Sequence, residues 1–373
     1  RNHWSFKEMT VKPVMTTVKK GKNTSVNIDH PYVGKYNFYF QAADKLLFTE
    51  NETNREKVYK DINQHPYKKD LFHTAVCTNN FELAIKNNSG TKFAPLYQQV
   101  LKGGETKTFQ LRLTEENLKE PFADFDTIFK KRQKECEVFY NDIAPKATEE
   151  RKAILKQAFA GLLWTKQYYN YEVEKWLNGD STTSQPPKER LSGRNAHWKT
   201  LRNHDILSMP DAWEYPWYAA WDSAFHCVSF ASIDPDFAKE QLLLFTKEWY
   251  MSPNGQIPAY EWNFSDVNPP VQAWSALQIY KTDKAKTGEG DIKFLKRMFN
   301  KLSLNFNWWV NRLDRNDNNV FQGGFLGLDN IGVFDRSHGV PGNGFLDQVD
   351  GTAWMAMYCL NMLEMSLRIA EHD

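Results

Sequence analysis

The spacing of apolar residues along the chain changes from a period of two to a period of three and four. In the first part, apolar and polar residues alternate over residues 81–85 and 106–113, as they do in half-buried β-strands. Residues 102–105 precede the second run and contain two glycines, which predicts a hairpin turn. Short strands separated by turns are typical of a β-sandwich. Residues 1–125 are therefore predicted to form a β-sandwich-like domain, here incomplete.

From about residue 126 the pattern is helical, with apolar residues on one face. A charged linker helix is predicted over 126–147, followed by a domain of helical hairpins over 148–373. Long loops rich in Gly, Pro, Asn and Trp separate its helices and are expected to gather at one end. Four apolar faces are predicted, one for each of four helices: Leu155, Phe159, Leu162, Tyr169 and Val173; Ala238, Leu242, Phe245 and Trp249; Ile292, Leu295, Phe299, Leu302, Phe306, Trp309 and Leu313; and Ala356, Leu360, Leu363, Leu367 and Ala370. The second of these helices is predicted to start at Asp234 and Pro235.

Composition removes several classes of function. The 373 residues include 47 Lys plus Arg and 46 Asp plus Glu, so the chain-wide basic field of a nucleic-acid-binding protein is absent. No apolar run approaches the ~20 residues that span a bilayer. The four cysteines lack a CxxC pair and indicate neither a zinc site nor a disulfide framework. We expect buried thiols, no metal, no other cofactor, no nucleic-acid partner and no membrane span.

Three segments place carboxylates among tryptophans, tyrosines and glycines: residues 213–222, 258–263 and 323–330. Aromatic rings can stack on the apolar faces of sugar rings, while carboxylates and amides bind the hydroxyls. A carboxyl group in partly dry surroundings has a raised pKa, which suits a general acid. The pattern favours a sugar-processing pocket, although the same aromatic residues would also fill a helical core.

In the first segment, Asp222 follows Trp221 at the start of an apolar helix. It is either the N-cap of that helix or a carboxylate that binds sugar hydroxyls, with Trp221 and Trp217 as the wall. The helix N-terminus would favour its ionised form. His226 lies four residues later on the same helical face, where a structural role is the simpler interpretation.

In the second segment, Tyr260, Glu261 and Trp262 are candidates for substrate binding. Asn268 follows closely and precedes two prolines, which fix the backbone before the next helix. A rigid amide can donate to and accept from a pair of hydroxyls, so Asn268 is a binding candidate. The alternative is that Asn before Pro-Pro is an ordinary helix entry.

In the third segment, Asp329 and Asn330 lie in a loop with three glycines and flanking Phe and Leu residues. The glycines allow close backbone approach, and the apolar neighbours exclude water, which would raise the pKa of Asp329. The alternative is a simple Asp-Asn turn. The loop lacks GxxxxGK[ST] and follows no predicted parallel strand, so it does not indicate a phosphate site.

These three segments, in this order and spacing, resemble glycoside hydrolase family 63, especially its bacterial members similar to mannosylglycerate hydrolase, and more distantly trehalase. The resemblance covers nearly the whole chain. It implies part of an (α/α)6 toroid of helical hairpins after the β-sandwich-like segment. It further implies that Trp221, Asp222 and Asn268 bind the sugar and that Asp329 is the general acid.

Two departures accompany the resemblance. The lead-in to Asp329 is Gly-Gly-Phe-Leu-Gly, whereas trehalases carry an acidic or polar lead-in. The family's general base is a Glu near the end of the helical domain, and no matching segment precedes residue 373, so the base is expected beyond it.

The sequence thus predicts an inverting α-glycosidase that hydrolyses α-glucosides or α-mannosides, present as a fragment without its base. Its expected partner is a carbohydrate substrate. One alternative is a non-hydrolytic carbohydrate-binding or scaffold protein on the same helical fold. A third interpretation, a sugar epimerase, would require paired histidines, for which His204 and His226 are the candidates.

Overall fold

The computed structural model describes residues 4, 11–20, 23–179, 185–193, 195–211, 213–260, 267–312, 321, 342 and 351–372. The chain divides into two compact units. The first extends to Cys136, and the second comprises Glu137–Gly179 and the residues from Gln185 onwards. An antiparallel β region precedes a helical region, so the predicted combination of a β part and an α part is confirmed. The predicted domain boundaries stay predictions.

The first unit is built on antiparallel strands. Its strands are β1 (Val14–Lys20), β2 (Asn23–His30), β3 (Gly34–Phe40), β4 (Lys45–Thr49), β5 (Ser89–Gly90), β6 (Lys92–Leu96) and β7 (Leu111–Thr114). The order β5-β1-β2-β3-β7 forms one sheet, and β4 pairs separately with β6. Val26, Phe40 and Phe48 are buried together in a cluster of this unit. Because strand residues alternate between faces, Ser25, Asn27, Asn37 and Tyr39 occupy the face of the sheet opposite Val26 and Phe40.

Two strand predictions in this unit are wrong. Residues 81–85 were expected to be a strand, but they contain the short helix α3 (Glu82–Ile85), which follows α1 (Arg55–Tyr59) and α2 (Leu71–Thr78). Phe81 and Ala84 lie three residues apart and are buried in one cluster, which is helical and not strand spacing.

The predicted hairpin at 102–105 is also wrong. The turn exists, because the Glu105 N–H donates to the Lys102 carbonyl at 3.0 Å. It does not join paired strands, however. Strand β6 pairs with β4, whereas β7 pairs with β3 and covers only the end of the predicted run at 106–113.

The helix α4 (Phe125–Ile143) occupies the region predicted as a charged linker helix. The long helix expected through Leu155 and Val173 is wrong. The structure has α5 (Glu149–Trp164), then strand β8 (Lys166–Glu172), then α6 (Val173–Asn178). Strand β8 contains three tyrosines, which favour strands, and all seven of its residues pair with β9 (Arg202–Ser208). A 3-10 turn over Lys188–Leu191 lies between them along the chain.

Five further helices pack around the largest buried cluster of the described residues. They are α7 (Ala220–Phe230), α8 (Pro235–Leu244), α9 (Gln272–Thr287), α10 (Ile292–Val310) and α11 (Gly351–Ala370). The predicted start of α8 is confirmed, since the Asp234 side chain accepts from the Phe237 N–H at 3.2 Å and Pro235 is the first helical residue. Closure of these helices into a toroid stays a prediction.

The last helix buries a different face from the predicted one. Leu360, Leu363 and Leu367 are exposed, whereas the buried side chains of α11 are Met355, Tyr358, Met362 and Met365. Leucine and methionine are both apolar, so spacing alone did not distinguish the two faces. The hydroxyl of Tyr358 donates to the Leu302 carbonyl at 3.1 Å, which directs this face toward α10.

The cysteines also differ from expectation. All four are free thiols, but Cys227 is buried while Cys77 and Cys359 are exposed and Cys136 is half-buried. The prediction of buried thiols is therefore wrong for three of the four. No helix in the described part of the chain is long and apolar enough to cross a membrane.

Candidate functional site

Asp222 lies in the first turn of α7 and is half-buried. The helix begins at Ala220 and its N-cap position is Ala219, so the interpretation of Asp222 as an N-cap is wrong. Burial raises the pKa of Asp222, and a hydrogen bond from its own backbone N–H offsets only part of this effect. The expectation that the helix N-terminus favours the ionised carboxylate is therefore opposed by burial, which has the larger effect.

Aromatic side chains flank this carboxylate along the chain. The ring of Trp221 meets that of Phe225 edge-on, with centroids 5.9 Å apart. The ring of Trp217 lies 4.3 Å from that of Tyr215. Both tryptophans are half-buried, so each keeps an accessible surface. Trp213, in contrast, is 94% exposed and does not form a buried side of this region.

Two hydrogen bonds hold the second aromatic segment beside the start of α7. The Ala220 N–H donates to the Ala259 carbonyl at 3.0 Å, and the buried Tyr218 hydroxyl donates to the Pro258 carbonyl at 3.0 Å. Tyr260, the next residue, is half-buried and packs on the main core. The structure thus brings the segment carrying Tyr260 next to the segment carrying Trp217, Trp221 and Asp222.

A tight turn before this segment is fixed against α10. Gly255 has a left-handed backbone (φ +94°), and a Cβ at this position would lie 2.4 Å from the Leu304 carbonyl oxygen. The buried Asn305 side chain donates to the Gly255 carbonyl at 2.8 Å, and the Tyr358 hydroxyl lies 3.2 Å from the Asn305 Oδ1. Helices α10 and α11 therefore support the loop that leads to Tyr260.

The start of α9 lies against the first two turns of α7. The Ser275 hydroxyl donates to the Ala224 carbonyl at 2.8 Å, and the rings of Trp274 and Phe225 are 5.5 Å apart. Asn268 precedes this helix by four residues and is 8% exposed. Its Oδ1 is buried and has no hydrogen-bond partner among the described residues. A buried acceptor without a donor is costly, which makes this oxygen a suitable acceptor for a ligand hydroxyl.

A hydrogen-bond chain beneath α7 was not predicted from the sequence. The Thr165 hydroxyl donates to the Leu162 carbonyl at 2.6 Å, and its oxygen lies 2.8 Å from the Ser208 Oγ. Ser208 Oγ is in turn 2.7 Å from His226 Nδ1. A hydroxyl has one proton. Thr165 therefore accepts from Ser208, and Ser208 accepts from His226 Nδ1–H.

This direction of donation fixes the tautomer of His226. The neutral ring carries its proton on Nδ1, which leaves Nε2 as an acceptor. Burial lowers the pKa of His226, which favours this neutral form. No signal in the sequence around Ser208, at the end of β9, could have identified this contact.

Four predicted site residues lie outside the described residues: Glu261, Trp262, Asp329 and Asn330. Their roles stay predictions. Within the described ranges, no group of three or more His, Cys, Asp or Glu side chains is arranged to hold a metal ion.

Comparison with known proteins adds two findings. Residues 215–325 match the family model of the mannosylglycerate hydrolase MGH1-like glycoside hydrolase domain. The whole chain aligns, over 410 positions and at 42% identity, with a Saccharomyces cerevisiae protein described as uncharacterized protein YMR196W. The chain spans 38% of the length of that relative.

The matched segment contains Trp217, Trp221, Asp222, Tyr260 and Asn268, the described residues that were selected from the sequence. The resemblance found in the sequence is therefore confirmed over residues 215–325, which match a mannosylglycerate hydrolase MGH1-like glycoside hydrolase domain.

Proposed function

We propose that the protein is an inverting glycosidase that acts on α-glucosides or α-mannosides. The observation that carries the proposal is the coincidence of two features. Residues 215–325 match a glycoside hydrolase domain, and within them the first turn of α9 packs on the first two turns of α7 through Ser275 and Ala224. The segments bearing Asp222 and Asn268 therefore adjoin the same pair of helix ends.

Substrate binding is assigned to the residues at these helix ends. The buried Oδ1 of Asn268 would accept a hydrogen bond from a sugar hydroxyl, and the two following prolines offer no backbone N–H to compete for it. Asp222, half-buried, would bind a second hydroxyl. The rings of Trp217, Trp221 and Tyr260 would cover the apolar faces of the sugar. Glu261, Trp262 and Asn330 complete the proposed set.

Catalysis is assigned to Asp329 as the general acid. In an inverting enzyme the acid and the base are about 6.5–9.5 Å apart, so that a water fits between the base and the anomeric carbon. The base is proposed to be a Glu beyond residue 373, with Glu261 as the alternative within this chain. General acid and base groups each contribute roughly 10²–10⁴-fold in rate. This chain by itself is therefore proposed to bind sugar without measurable turnover.

The competing function is carbohydrate binding without hydrolysis, which needs the same binding residues and no base. The epimerase interpretation finds no support in the geometry. His226 bonds to Ser208, whereas His204 Nε2 lies 2.6 Å from Glu172. Ser208 and His204 are four residues apart in β9, about 13 Å at the usual rise of a strand. The two histidines therefore belong to separate environments.

Hydrolysis by the full-length protein tests the proposal. α-Glucosides and α-mannosides would be supplied, and the anomer of the first product would be followed by NMR. An inverting enzyme releases the β-anomer from an α-glycoside. Release of the α-anomer would contradict inversion, and binding without turnover would favour the carbohydrate-binding alternative.

The acid assignment is tested with Asp329→Asn. This variant should lose activity on substrates with poor leaving groups and keep more of it on glycosyl fluorides, whose departure needs little protonation. Asp222→Asn should weaken binding of both substrate types. Asp236→Asn is the matched control, because Asp236 also lies in the first turn of a helix but is exposed. Equal loss on both substrate types in Asp329→Asn would remove Asp329 from the acid role.

A further inference from the structure

The face of the main sheet opposite Val26 and Phe40 carries a row of polar side chains. In the pairing of β2 with β3, Ser25 lies opposite Tyr39 and Asn27 lies opposite Asn37. Side chains opposite one another on one face are neighbours about 5 Å apart. Two amides and two hydroxyls therefore share a small area of this face.

The loop over residues 115–119 is anchored on the same face. The Asn37 side-chain nitrogen donates to the carbonyls of Glu115 and Glu116 at 3.4 and 3.2 Å. The Leu118 N–H donates to the Tyr39 hydroxyl at 2.8 Å, and Tyr39 is only 4% exposed. The loop is therefore tied to two strand residues that belong to the polar row.

Between the loop and the sheet lies a cleft of about 380 Å³. This volume is within the range of roughly 300–1,000 Å³ that small-molecule sites occupy. Its lining residues are Val18, Ser25, Asn27, Asn37, Tyr39, Asn117, Leu118 and Lys119. None of these described lining residues carries a carboxyl group, and the one cation is Lys119.

The chemistry of the lining selects a class of ligand. A sugar hydroxyl both donates and accepts, and amide and hydroxyl side chains do the same. The nitrogen of Asn37 is occupied by the loop, so its Oδ1 serves as an acceptor, while the Asn27 side chain is exposed and can do both. A single lysine is too little positive charge for a polyanion. Hydrolysis of a glycoside needs two carboxyl groups, so the cleft suits binding and not catalysis.

We propose that this cleft is a second carbohydrate-binding site, which takes a saccharide of one or two rings without hydrolysing it. The choice of a sugar over other hydroxylated ligands rests on the proposed function of the helical unit. The position and the polarity of the cleft do not depend on that function.

Saturation-transfer NMR on the chain tests this site, with methyl α-D-mannopyranoside and maltose as the probes. Asp222→Ala removes a proposed binding residue of the helical unit, and Asn27→Ala removes one amide of the cleft. Asp29→Ala is the matched control, since Asp29 lies two residues further along the same face of β2, is exposed and does not line the cleft. The three variants would be measured singly. Asn27→Ala and Asp29→Ala would also each be combined with Asp222→Ala.

In the Asp222→Ala background, residual binding of at least one probe should remain. Asn27→Ala should weaken it about five- to tenfold, as expected for the loss of a good hydrogen bond, while Asp29→Ala leaves it unchanged. Absence of residual binding, or residual binding that Asn27→Ala does not alter, would overturn the proposal. If instead Asn27→Ala weakens binding and adding Asp222→Ala to it causes no further loss, the proposed role of the helical site fails and the cleft proposal stands.

Discussion

Replacement of Gly255 by alanine is expected to have two effects, on the stability of the helical unit and on the position of Tyr260. The residue has φ +94°, and an added Cβ would lie 2.4 Å from the Leu304 carbonyl oxygen and 2.9 Å from its carbonyl carbon. Both contacts are with helical backbone, which cannot rotate away. Gly288, at the end of α9, offers a matched control because its φ is +84° and nothing lies within 4 Å of a Cβ there.

The size of each effect follows from these contacts. A left-handed conformation costs an alanine roughly 1–2 kcal/mol, partly offset by the lower entropy of the unfolded chain, so Gly288→Ala should lose about 1 kcal/mol. In Gly255→Ala the loop must also move by about 1 Å to relieve the contact. That movement would break the 2.8 Å bond from Asn305 to the Gly255 carbonyl. An orphaned buried amide costs about 1–3 kcal/mol, which gives a total of about 3 kcal/mol.

Urea and thermal unfolding of the two variants would measure this difference. A loss of 1 kcal/mol lowers the melting temperature of a unit of this size by roughly 2–4 °C, so the shift in Gly255→Ala should be about three times that in Gly288→Ala. Sugar binding at a temperature where both are folded should weaken only in Gly255→Ala, because its loop carries Tyr260. Equal shifts in the two variants would refute the close approach of this loop to α10.

Three further outcomes are expected. Because burial raises the pKa of Asp222, this group lowers the stability of the wild type as pH rises above the ordinary carboxyl pKa of about 4. Asp222→Asn should therefore be more stabilising at pH 7 than at pH 4 in thermal unfolding. A difference between variant and wild type that does not depend on pH would contradict this. Ser208→Ala leaves the His226 Nδ1–H and the Thr165 oxygen without their partner and should cost about 1–3 kcal/mol in urea unfolding; a neutral effect would refute the hydrogen-bond chain. The exposed leucine face of α11 is expected to make the chain self-associate, and Leu363→Glu should reduce this association in sedimentation velocity. A wild type that is monomeric at all concentrations would contradict the expectation.

Features set by local chemistry could be predicted from the sequence. The start of α8 follows from one side-chain cap at Asp234 and one proline, both within a single turn. The helix α10 follows from an apolar pattern that continues over five turns, too long for a strand. Aromatic and acidic residue types, read together with their order, led to the glycoside hydrolase resemblance that the match over residues 215–325 supports.

Features set by distant partners could not be predicted. Strand β8 follows a helix after one residue, and its tyrosines favour a strand without excluding a helix when read alone. It is a strand because all of its residues pair with β9, which comes after a further helix and a 3-10 turn. Similarly, α11 carries apolar residues on two faces, and the bond from Tyr358 to Leu302 identifies the buried one. The alternating run at 81–85 is too short for its period to decide between helix and strand.

The same distinction explains what was missed in the site. Its residue types were recognisable, but the contacts that assemble it use groups without a sequence signature, such as the backbone bond between Ala220 and Ala259. Asp222 shows the consequence for chemistry. Its place in the first turn of a helix is a local feature worth about 0.3–1 kcal/mol in favour of ionisation, and this was the basis of the expectation from sequence. Around it, α9 and the segment before Tyr260, which are distant in sequence, pack against the start of α7. Desolvation of a carboxyl can exceed the effect of a helix end, so the direction of its pKa shift is decided by packing and not by the residues beside it.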